Sequence, residues 1–311
     1  MKLNQLRNVV AIVERGSLRA ASRSLGLAQP AVSRSVRELE EELGVAIFER
    51  SKFGMTLTDA GEVFVRRSRG IQADLQRTLD ELERFKGEDR GTITVAFSSA
   101  TLLAFGGAVA TYFHRKFPGV RLKIVEAAFP MIEERLRDGL IDLYYGPLAR
   151  GFSDVALVVE PLFENNGMVI GRKGHPLAEA TTLGELVDAL WLTTPTSIDA
   201  DNEVAALFEA AGLSPPKILM QASSAMSLAI MISTSDLLAA VPEQWDEIIK
   251  VTGILARLPI SNLKAPRICA VRRRNTPQTA ALRHLNDLAV RASLNYVRSR
   301  SDIAGERRSA K

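Results

Sequence analysis

The feature of this sequence that most constrains its fold is a change in hydrophobic periodicity at residues 87–91. Before this polar Gly-Glu-Asp-Arg-Gly segment, apolar residues recur at helical spacing. After it, short apolar and β-branched runs alternate with helical segments. This alternation predicts a parallel, doubly wound sheet, with a second such unit over residues 162–266. We therefore expect a helical head, a hinge at residues 87–91 and a larger α/β domain.

The composition fits a globular chain of two or three domains. The chain has 311 residues, of which 46% are hydrophobic and 24% charged. The longest apolar stretch, residues 102–113, is shorter than the roughly 20 residues that span a bilayer. The first seven residues contain no apolar signal segment, so we expect a cytoplasmic protein without a membrane partner. The one cysteine, Cys269, lies in a strand-like apolar run and is predicted to be a buried structural thiol.

The head contains two predicted helices joined by a tight turn. Ser17 can cap a helix over residues 18–25, and Gly26 can end it in a left-handed conformation. The small residues Ala20 and Ala21 would allow a second helix to cross closely. That second helix has Pro30 in its first turn and stops at Gly44.

The second helix has a polar and basic outer face. This face can offer hydrogen bonds to base edges and cations to phosphates; it comprises Gln29, Pro30, Ser33, Arg34 and Arg37. From Met1 to Arg37 there are seven Lys and Arg residues against one acid, Glu14, which suits a phosphate-facing surface. The alternatives are an ordinary helical hairpin and a solvated basic face.

A long helix is predicted after Thr58, which can act as its cap. Its apolar positions keep a period of about 3.5 residues, typical of helices that pair with another helix; they are Phe64, Ile71, Leu75, Leu82 and Phe85. We expect this seam to form a dimer interface, the alternative being a face that packs on the chain's own core.

Residues 16–50 and the Leu-Thr-Asp-Ala-Gly run at residues 57–61 resemble the signature of LysR-type transcriptional regulators. The similarity is strong over the first 85 or so residues and continues more diffusely to about residue 300, including Gly-His-Pro-Leu-Ala at residues 174–178. One departure is Ala28, which stands where many relatives have a serine cap. Alanine is a poor cap and costs about 0.5–2 kcal/mol.

The resemblance implies a homodimer paired through the linker helices, usually assembled into a tetramer. It also implies an effector domain like a periplasmic binding protein, with two Rossmann-like lobes around a cleft. By position, the resemblance implies Gln29, Pro30, Ser33 and Arg34 as contacts in the major groove and Arg50 and Lys52 as contacts from a wing. The predicted DNA-binding residues also include Ser17, Arg19 and Arg37. The expected partners are double-stranded DNA with an interrupted palindrome, a small organic effector (an organic acid, aromatic or sugar-derived compound), RNA polymerase and a second copy of the chain.

These readings divide the chain into four segments. Residues 1–58 form the winged helix-turn-helix, and residues 59–90 form the linker helix and hinge. Residues 91–300 form the effector domain, with lobe 1 at about 91–161 plus 267–300 and lobe 2 at about 162–266. Residues 301–311 are expected to be a flexible tail.

The expected ligand site lies beyond the carboxyl ends of the strands, where open α/β sheets bind ligands. Hydroxyl groups follow the first strand, and others follow strands of the second lobe. The effector-binding residues proposed on this basis are Ser98, Ser99, Thr101, Phe129, Thr194, Thr196 and Ser223, with Phe129 as an apolar wall. This lining favours a small ligand that is weakly charged or a single anion. The alternative is that the hydroxyls only cap helices.

Two other classes of protein are disfavoured by the sequence. A free-standing binding protein would need an export signal and no DNA-binding head. An enzyme would need a catalytic triad, a metal set or a nucleotide fingerprint, and none is visible. The three histidines, His114, His175 and His284, lack metal-ligand spacing, so we expect no catalytic residue, no metal and no cofactor.

Overall fold

The computed structural model describes residues 1–51, 54–85, 91–148, 151–194, 200–274 and 279–309. The chain divides into two compact units. Unit 1 comprises Met1–Gly87 with Asp138–Leu140, and unit 2 comprises Glu88–Arg137 with Ile141–Lys311. Of the predicted hinge, residues 87–90 lie outside the described residues.

Unit 1 begins with three helices, α1 (Leu3–Arg15), α2 (Leu18–Leu25) and α3 (Gln29–Leu43). A two-stranded antiparallel hairpin follows, with β1 (Phe48–Ser51) and β2 (Gly54–Leu57), and then the long helix α4 (Asp59–Phe85). Both predicted stops are confirmed, because Gly26 and Gly44 end their helices at φ 68° and 69°, where a side chain would be strained. Thr58 is the cap of α4, since its Oγ1 accepts from Gly61 N at 3.0 Å.

The helices of unit 1 enclose one apolar core. Ala21 is fully buried in it, as expected for a small residue at a helix crossing. The other members come from α1, α3, α4 and the residue before β1: Val9, Ile12, Val32, Val36, Leu39, Ile47 and Val65. This core fixes α3 against α1 and α2 and leaves the opposite face of α3 to solvent.

Unit 2 contains a nine-stranded sheet. Eight strands follow the order β4-β3-β5-β11-β6-β9-β7-β8, and β10 pairs with β6. The strands are β3 (Gly91–Phe97), β4 (Val120–Glu126), β5 (Leu143–Pro147), β6 (Leu157–Arg172), β7 (Leu190–Thr193), β8 (Lys217–Gln221), β9 (Leu237–Pro242), β10 (Leu255–Arg257) and β11 (Lys264–Arg273).

The helices of unit 2 connect these strands. A short α5 (Ser99–Thr101) continues through a π-helical turn (Leu102–Gly106) into α6 (Gly107–Lys116). The others are α7 (Phe129–Arg137), α8 (Ala200–Ala210), α9 (Ala225–Ser233), α10 (Asp246–Thr252) and α11 (Ala280–Ser309), with 3₁₀ turns at Leu183–Leu186 and Glu243–Trp245. None of the described helices is both long and apolar enough to cross a bilayer.

The sheet is mixed, because two long strands depart from the predicted parallel pairing. β3 pairs in parallel with β4 and β5, and β7 pairs in parallel with β8 and β9. β6 and β11 are antiparallel to each other and to their other neighbours. The first half of β6 carries Glu160, Pro161 and Glu164, which interrupt the apolar pattern that would have indicated one 16-residue strand.

Separate apolar cores define two lobes in unit 2. Lobe 1 surrounds β3, β4 and β5, with one core on each face of the sheet. Lobe 2 surrounds β7, β8 and β9, again with two cores. Strands β6 and β11 run through both lobes, and Cys269 of β11 is buried as predicted, which raises the pKa of its thiol.

The last helix extends into the expected tail at residues 301–311, whose flexibility stays a prediction. α11 continues to Ser309, so residues 301–309 are helical. This segment contains no proline and includes alanine, glutamate and arginine, which favour a helix.

Candidate nucleic-acid interface and ligand cleft

The turn between α2 and α3 is set by local hydrogen bonds. The Ser17 hydroxyl accepts from Ala20 N at 3.2 Å and so caps α2. At the other end, Gly26 N donates to Arg23 O at 3.3 Å. The residue before α3, Ala28, makes no side-chain cap bond, as its departure from the resemblance implied. The helix-turn-helix geometry therefore rests on the cap of α2, the glycine turn and the core.

The outer face of α3 is polar, basic and open. Gln29, Pro30, Arg34 and Arg37 are exposed, and Ser33 is half-buried. Positions 30, 34 and 37 lie on one helix face because they are three or four residues apart. Arg19 of α2 is also exposed.

The cations on this surface are available to a ligand. Among the described side chains, no carboxylate lies within ion-pair distance of Arg34 or Arg37, or of Arg19. A face with unpaired guanidinium groups beside amide and hydroxyl groups can bind phosphates and base edges. Of the wing candidates, the Arg50 side chain and Lys52 lie outside the described residues.

Glu40 is a residue whose role the sequence did not indicate. Its Oε1 accepts from Ile47 N at 2.8 Å and from Phe48 N at 3.0 Å. This carboxylate in α3 therefore fixes the start of β1.

The apolar seam of α4 is largely exposed. Ile71, Leu75 and Leu82 are 45%, 39% and 53% exposed, and Leu79 adds a fourth apolar side chain at 47%. Phe64 differs, because it is partly buried against the core of unit 1. The Phe85 side chain lies outside the described ones. The exposed seam therefore comprises Ile71, Leu75, Leu79 and Leu82.

Two of the predicted ligand-binding hydroxyls are buried and bonded within the fold. Thr101 is fully buried, and its hydroxyl donates to Tyr145 O at 2.7 Å. The buried Ser98 caps α5, since its Oγ accepts from Thr101 N at 3.3 Å. The Thr101 hydroxyl therefore ties α5 to β5, and the Ser98 hydroxyl has the capping role given as the alternative.

Phe129, predicted as an apolar wall of the cleft, is buried in a core of lobe 1. It is 4% exposed and contacts the rings of Phe152 and Tyr144 at centroid distances of 4.7 and 5.6 Å. Its position after β4 suggested a cleft, but α7 begins at this residue and turns its ring into lobe 1.

Three of the predicted residues keep accessible side chains. Ser99 is half-buried at the first position of α5, Thr194 is half-buried after β7, and Ser223 is exposed after β8. All three follow carboxyl ends of parallel strands. Thr196 lies outside the described residues. Next to Ser223, Ser224 caps α9 by accepting from Ser227 N at 3.1 Å.

The two lobes approach each other at these strand ends. The 3₁₀ turn Glu243–Trp245 follows β9, and it packs against α5 and the π-helical turn that follow β3. The carboxyl ends of the two parallel strand sets therefore face one another, which is the arrangement of a ligand cleft. Within the described part of the chain, no group of three or more His, Cys, Asp or Glu residues could hold a metal ion.

Comparison with known proteins adds two family matches. Residues 3–62 match the bacterial regulatory helix-turn-helix protein of the lysR family, and residues 86–293 match the LysR substrate binding domain. The HTH-type transcriptional regulator GbpR of Azospirillum brasilense is 29% identical over 263 residues, which cover 83% of this chain and 77% of GbpR.

Among solved structures, the chain is similar to CbnR, a LysR family transcriptional regulator. The match has a TM-score of 0.71 at 20% identity and covers 94% of this chain and 99% of CbnR. Full-length CbnR complexed with its target DNA matches with a TM-score of 0.69 at 21% identity, over 94% of this chain and 100% of that one. At these identities the likeness establishes the fold of the whole chain.

Proposed function

This chain belongs to the LysR family of DNA-binding transcriptional regulators with an effector-binding domain, and we propose which of its surfaces performs each task. The outer face of α3 reads DNA, with Gln29, Arg34 and Arg37 as its central residues. The observation that carries this assignment is the open basic face of α3 on a rigid helical core. The relative CbnR, with which this chain shares its fold, was crystallised with target DNA.

The remaining DNA contacts belong to the same surface. Ser17 and Arg19 at the start of α2 approach phosphates, while Pro30 and Ser33 line the face of α3. Arg50 and Lys52 complete the interface from the wing. In this proposal the DNA-binding domain comprises residues 1–58, the linker helix and hinge residues 59–90, and the effector domain residues 91–300.

The exposed seam of α4 pairs two copies of the chain, and two dimers form a tetramer. The support is a row of four large apolar side chains on an exposed helix face. Such a dimer reads two half-sites, so the operator is an interrupted palindrome.

The effector binds between the lobes of unit 2, beside Ser99, Thr194 and Ser223. The support is their shared position at carboxyl strand ends. The protein then acts as a regulator in the cytoplasm, where its DNA is, and performs no catalysis. Its relatives are named as transcriptional regulators, which agrees with that role.

The experiment that tests the function is capture of genomic fragments by the purified full chain, followed by affinity measurement on a captured site. Arg34→Ala should weaken binding by roughly 1–3 kcal/mol at matched salt, as loss of a base or phosphate contact does. Lys173→Ala is the control, because it removes an exposed positive charge from unit 2. Equal operator affinity of the Arg34 and Lys173 variants would contradict the assignment.

A further inference from the structure

We propose that the 3₁₀ turn Glu243–Trp245, which we call the latch turn, is a built-in latch that holds lobe 2 against lobe 1 and sets the angle between them. The proposal goes beyond DNA and effector binding. Only its regulatory consequence rests on the proposed function. Contacts of Glu243 and of Trp245 join the two lobes, and a contact of Gln244 anchors the turn on β6.

The first contact is polar and lies on α11, the last helix of lobe 1. Arg300 donates from Nη2 to Glu243 Oε2 at 3.0 Å and from Nη1 to the Tyr296 hydroxyl at 3.0 Å. The guanidinium also lies over the Tyr296 ring, 5.7 Å from its centroid, and that ring contacts Phe163 of β6 at 5.6 Å. Because Arg300 is held on both sides, its charge is preorganised toward Glu243.

Both ends of this ion pair are partly shielded. The Arg300 and Glu243 side chains are 31% and 17% exposed, and Asp246 Oδ2 lies 4.0 Å from Arg300 Nη2. Asp246 has its own partner in Arg257 at 3.5 Å. A partly shielded ion pair stabilises the folded chain more than a fully exposed one does. Water can still reach this pair, so it can open and close.

The second contact is a buried amide pair. Gln244 Nε2 donates to Asn165 Oδ1 of β6 at 2.9 Å, and the two residues are 1% and 3% exposed. Separating them would leave two amides without partners unless water enters. The pair therefore favours one arrangement of the turn over a range of nearby ones.

The third contact is apolar. Trp245 is 2% exposed within a core of lobe 2, and Leu103 of lobe 1 packs against the same core. Leu103 is in the π-helical turn between α5 and α6. A π-helical turn inserts an extra residue into a helix and often marks a functional position. Here it places a lobe 1 side chain against the core of lobe 2.

The latch turn lies beside a suitable pivot. β6 pairs with β11 up to Asn166 and with β9 from Gly167 onward, so its pairing partner changes next to Asn165. The β6–β11 register shifts between Ala265 and Ile268, so the ladder is irregular there. A weakened ladder at the crossing point allows rotation of the lobes, and the latch turn resists it.

The consequence is a threshold for ligand response. A ligand that favours another lobe angle must open the latch, whereas one that fits the latched angle is bound with greater affinity. Weakening the latch should therefore change the effector response, although no residue of the effector site or of the DNA-binding surface is altered.

The test is hydrogen–deuterium exchange on the full-length, ligand-free protein. Arg300→Gln and Glu243→Gln should each raise exchange rates in peptides that cover residues 163–166 and 242–246 by roughly two- to fivefold. The effect of the double variant should be smaller than the sum of the two single effects, because each single variant already removes the shared ion pair. Arg298→Gln is the matched control, an exposed arginine on the same helix.

Two results would overturn the latch. One is unchanged exchange in both single variants, and the other is an additive effect in the double variant. Tyr296→Phe keeps the ring and removes only the hydroxyl, so it should give a smaller rise and reports on the contact if a charge variant unfolds. Operator affinity is measured in parallel. If the variants exchange as slowly as the wild type and the wild type binds its operator, the latch alone is rejected. If the wild type binds no operator, the proposed function is rejected.

Discussion

Asn8 of α1 donates a hydrogen bond from Nδ2 to the Ser35 hydroxyl of α3 at 2.8 Å. Asn8 is 4% exposed, so its amide depends on this partner. Ser35 lies one residue from Arg34, and the bond joins the first helix of unit 1 to the proposed recognition helix. The angle at which α3 presents its outer face is therefore tied to this partly buried hydrogen bond as well as to the core.

Ser35→Ala should destabilise unit 1 by about 1–3 kcal/mol, because it leaves a buried amide without its partner. The same variant should weaken operator binding, although Ser35 itself is not among the proposed DNA contacts. Calorimetry of the purified protein measures the first effect, and a binding titration measures the second. Ser24→Ala, at an exposed position of α2, should change neither. If Ser35→Ala melts as the wild type does, the bond does not hold the helices.

Glu40 provides a second test of how α3 is connected to the hairpin. Glu40→Ala removes the acceptor of two backbone N–H groups and should destabilise unit 1 by roughly 1–3 kcal/mol. Its operator affinity should fall, because the start of β1 is no longer fixed. Glu41→Ala removes the same charge from an exposed neighbouring position and is the control. Equal melting of the two variants would show that the carboxylate does not anchor the strand.

Local signals explain why the head could be predicted closely. The limits of α2 follow from Ser17 and Gly26, which act on the backbone within a few residues and need no distant partner. β6 shows the opposite case. Its 16 residues are extended because β11 and β9 pair with them from distant parts of the chain. No local pattern at Pro161 or at Asn165 and Asn166 could indicate those partners.

The predicted ligand-binding residues differ in burial for a similar reason, and their role in binding stays a prediction. The rule that ligands bind at carboxyl strand ends located Ser99, Thr194 and Ser223 at strand ends in the folded chain. It could not distinguish them from Thr101, because the direction of that hydroxyl depends on Tyr145, which is 44 residues away. Residues of the latch turn were missed because Gln244 and Asn165 meet only through the tertiary fold.

His284 gives a prediction about pH. Burial lowers the pKa of His284, with help from the positive charges of Lys116 and Arg291, and its ring contacts Phe117 at 5.5 Å. Since the folded-state pKa lies below the unfolded value of about 6.5, folding favours the neutral ring. The free energy of unfolding should therefore be unaffected by this group above pH 7. It should fall as the pH drops through about 6.5 toward the folded-state pKa.

The measurement is urea denaturation followed by tryptophan fluorescence, which reports on unit 2 because both tryptophans, Trp191 and Trp245, lie there. His284→Gln should reduce the loss of stability between pH 7.5 and pH 5.5, whatever it does to stability at the higher pH. His114→Gln is the control. An identical pH dependence in wild type and His284→Gln would contradict the prediction.

The exposed seam of α4 gives the prediction that bears most directly on assembly. Leu75 is 39% exposed and lies one turn from both Ile71 and Leu79, so it is at the middle of the apolar row. Leu75→Arg would place an unpaired charge in a helix–helix contact, where burial of a charge without a partner is strongly unfavourable. The dimer should weaken at least tenfold, corresponding to about 1.4 kcal/mol.

Leu75→Met keeps an apolar side chain of similar volume and should leave assembly unchanged. Sedimentation velocity over a dilution series measures both variants, with circular dichroism to verify that each is folded. If Leu75→Arg sediments as the wild type at every concentration, the seam does not join two chains, and another surface must assemble the protein.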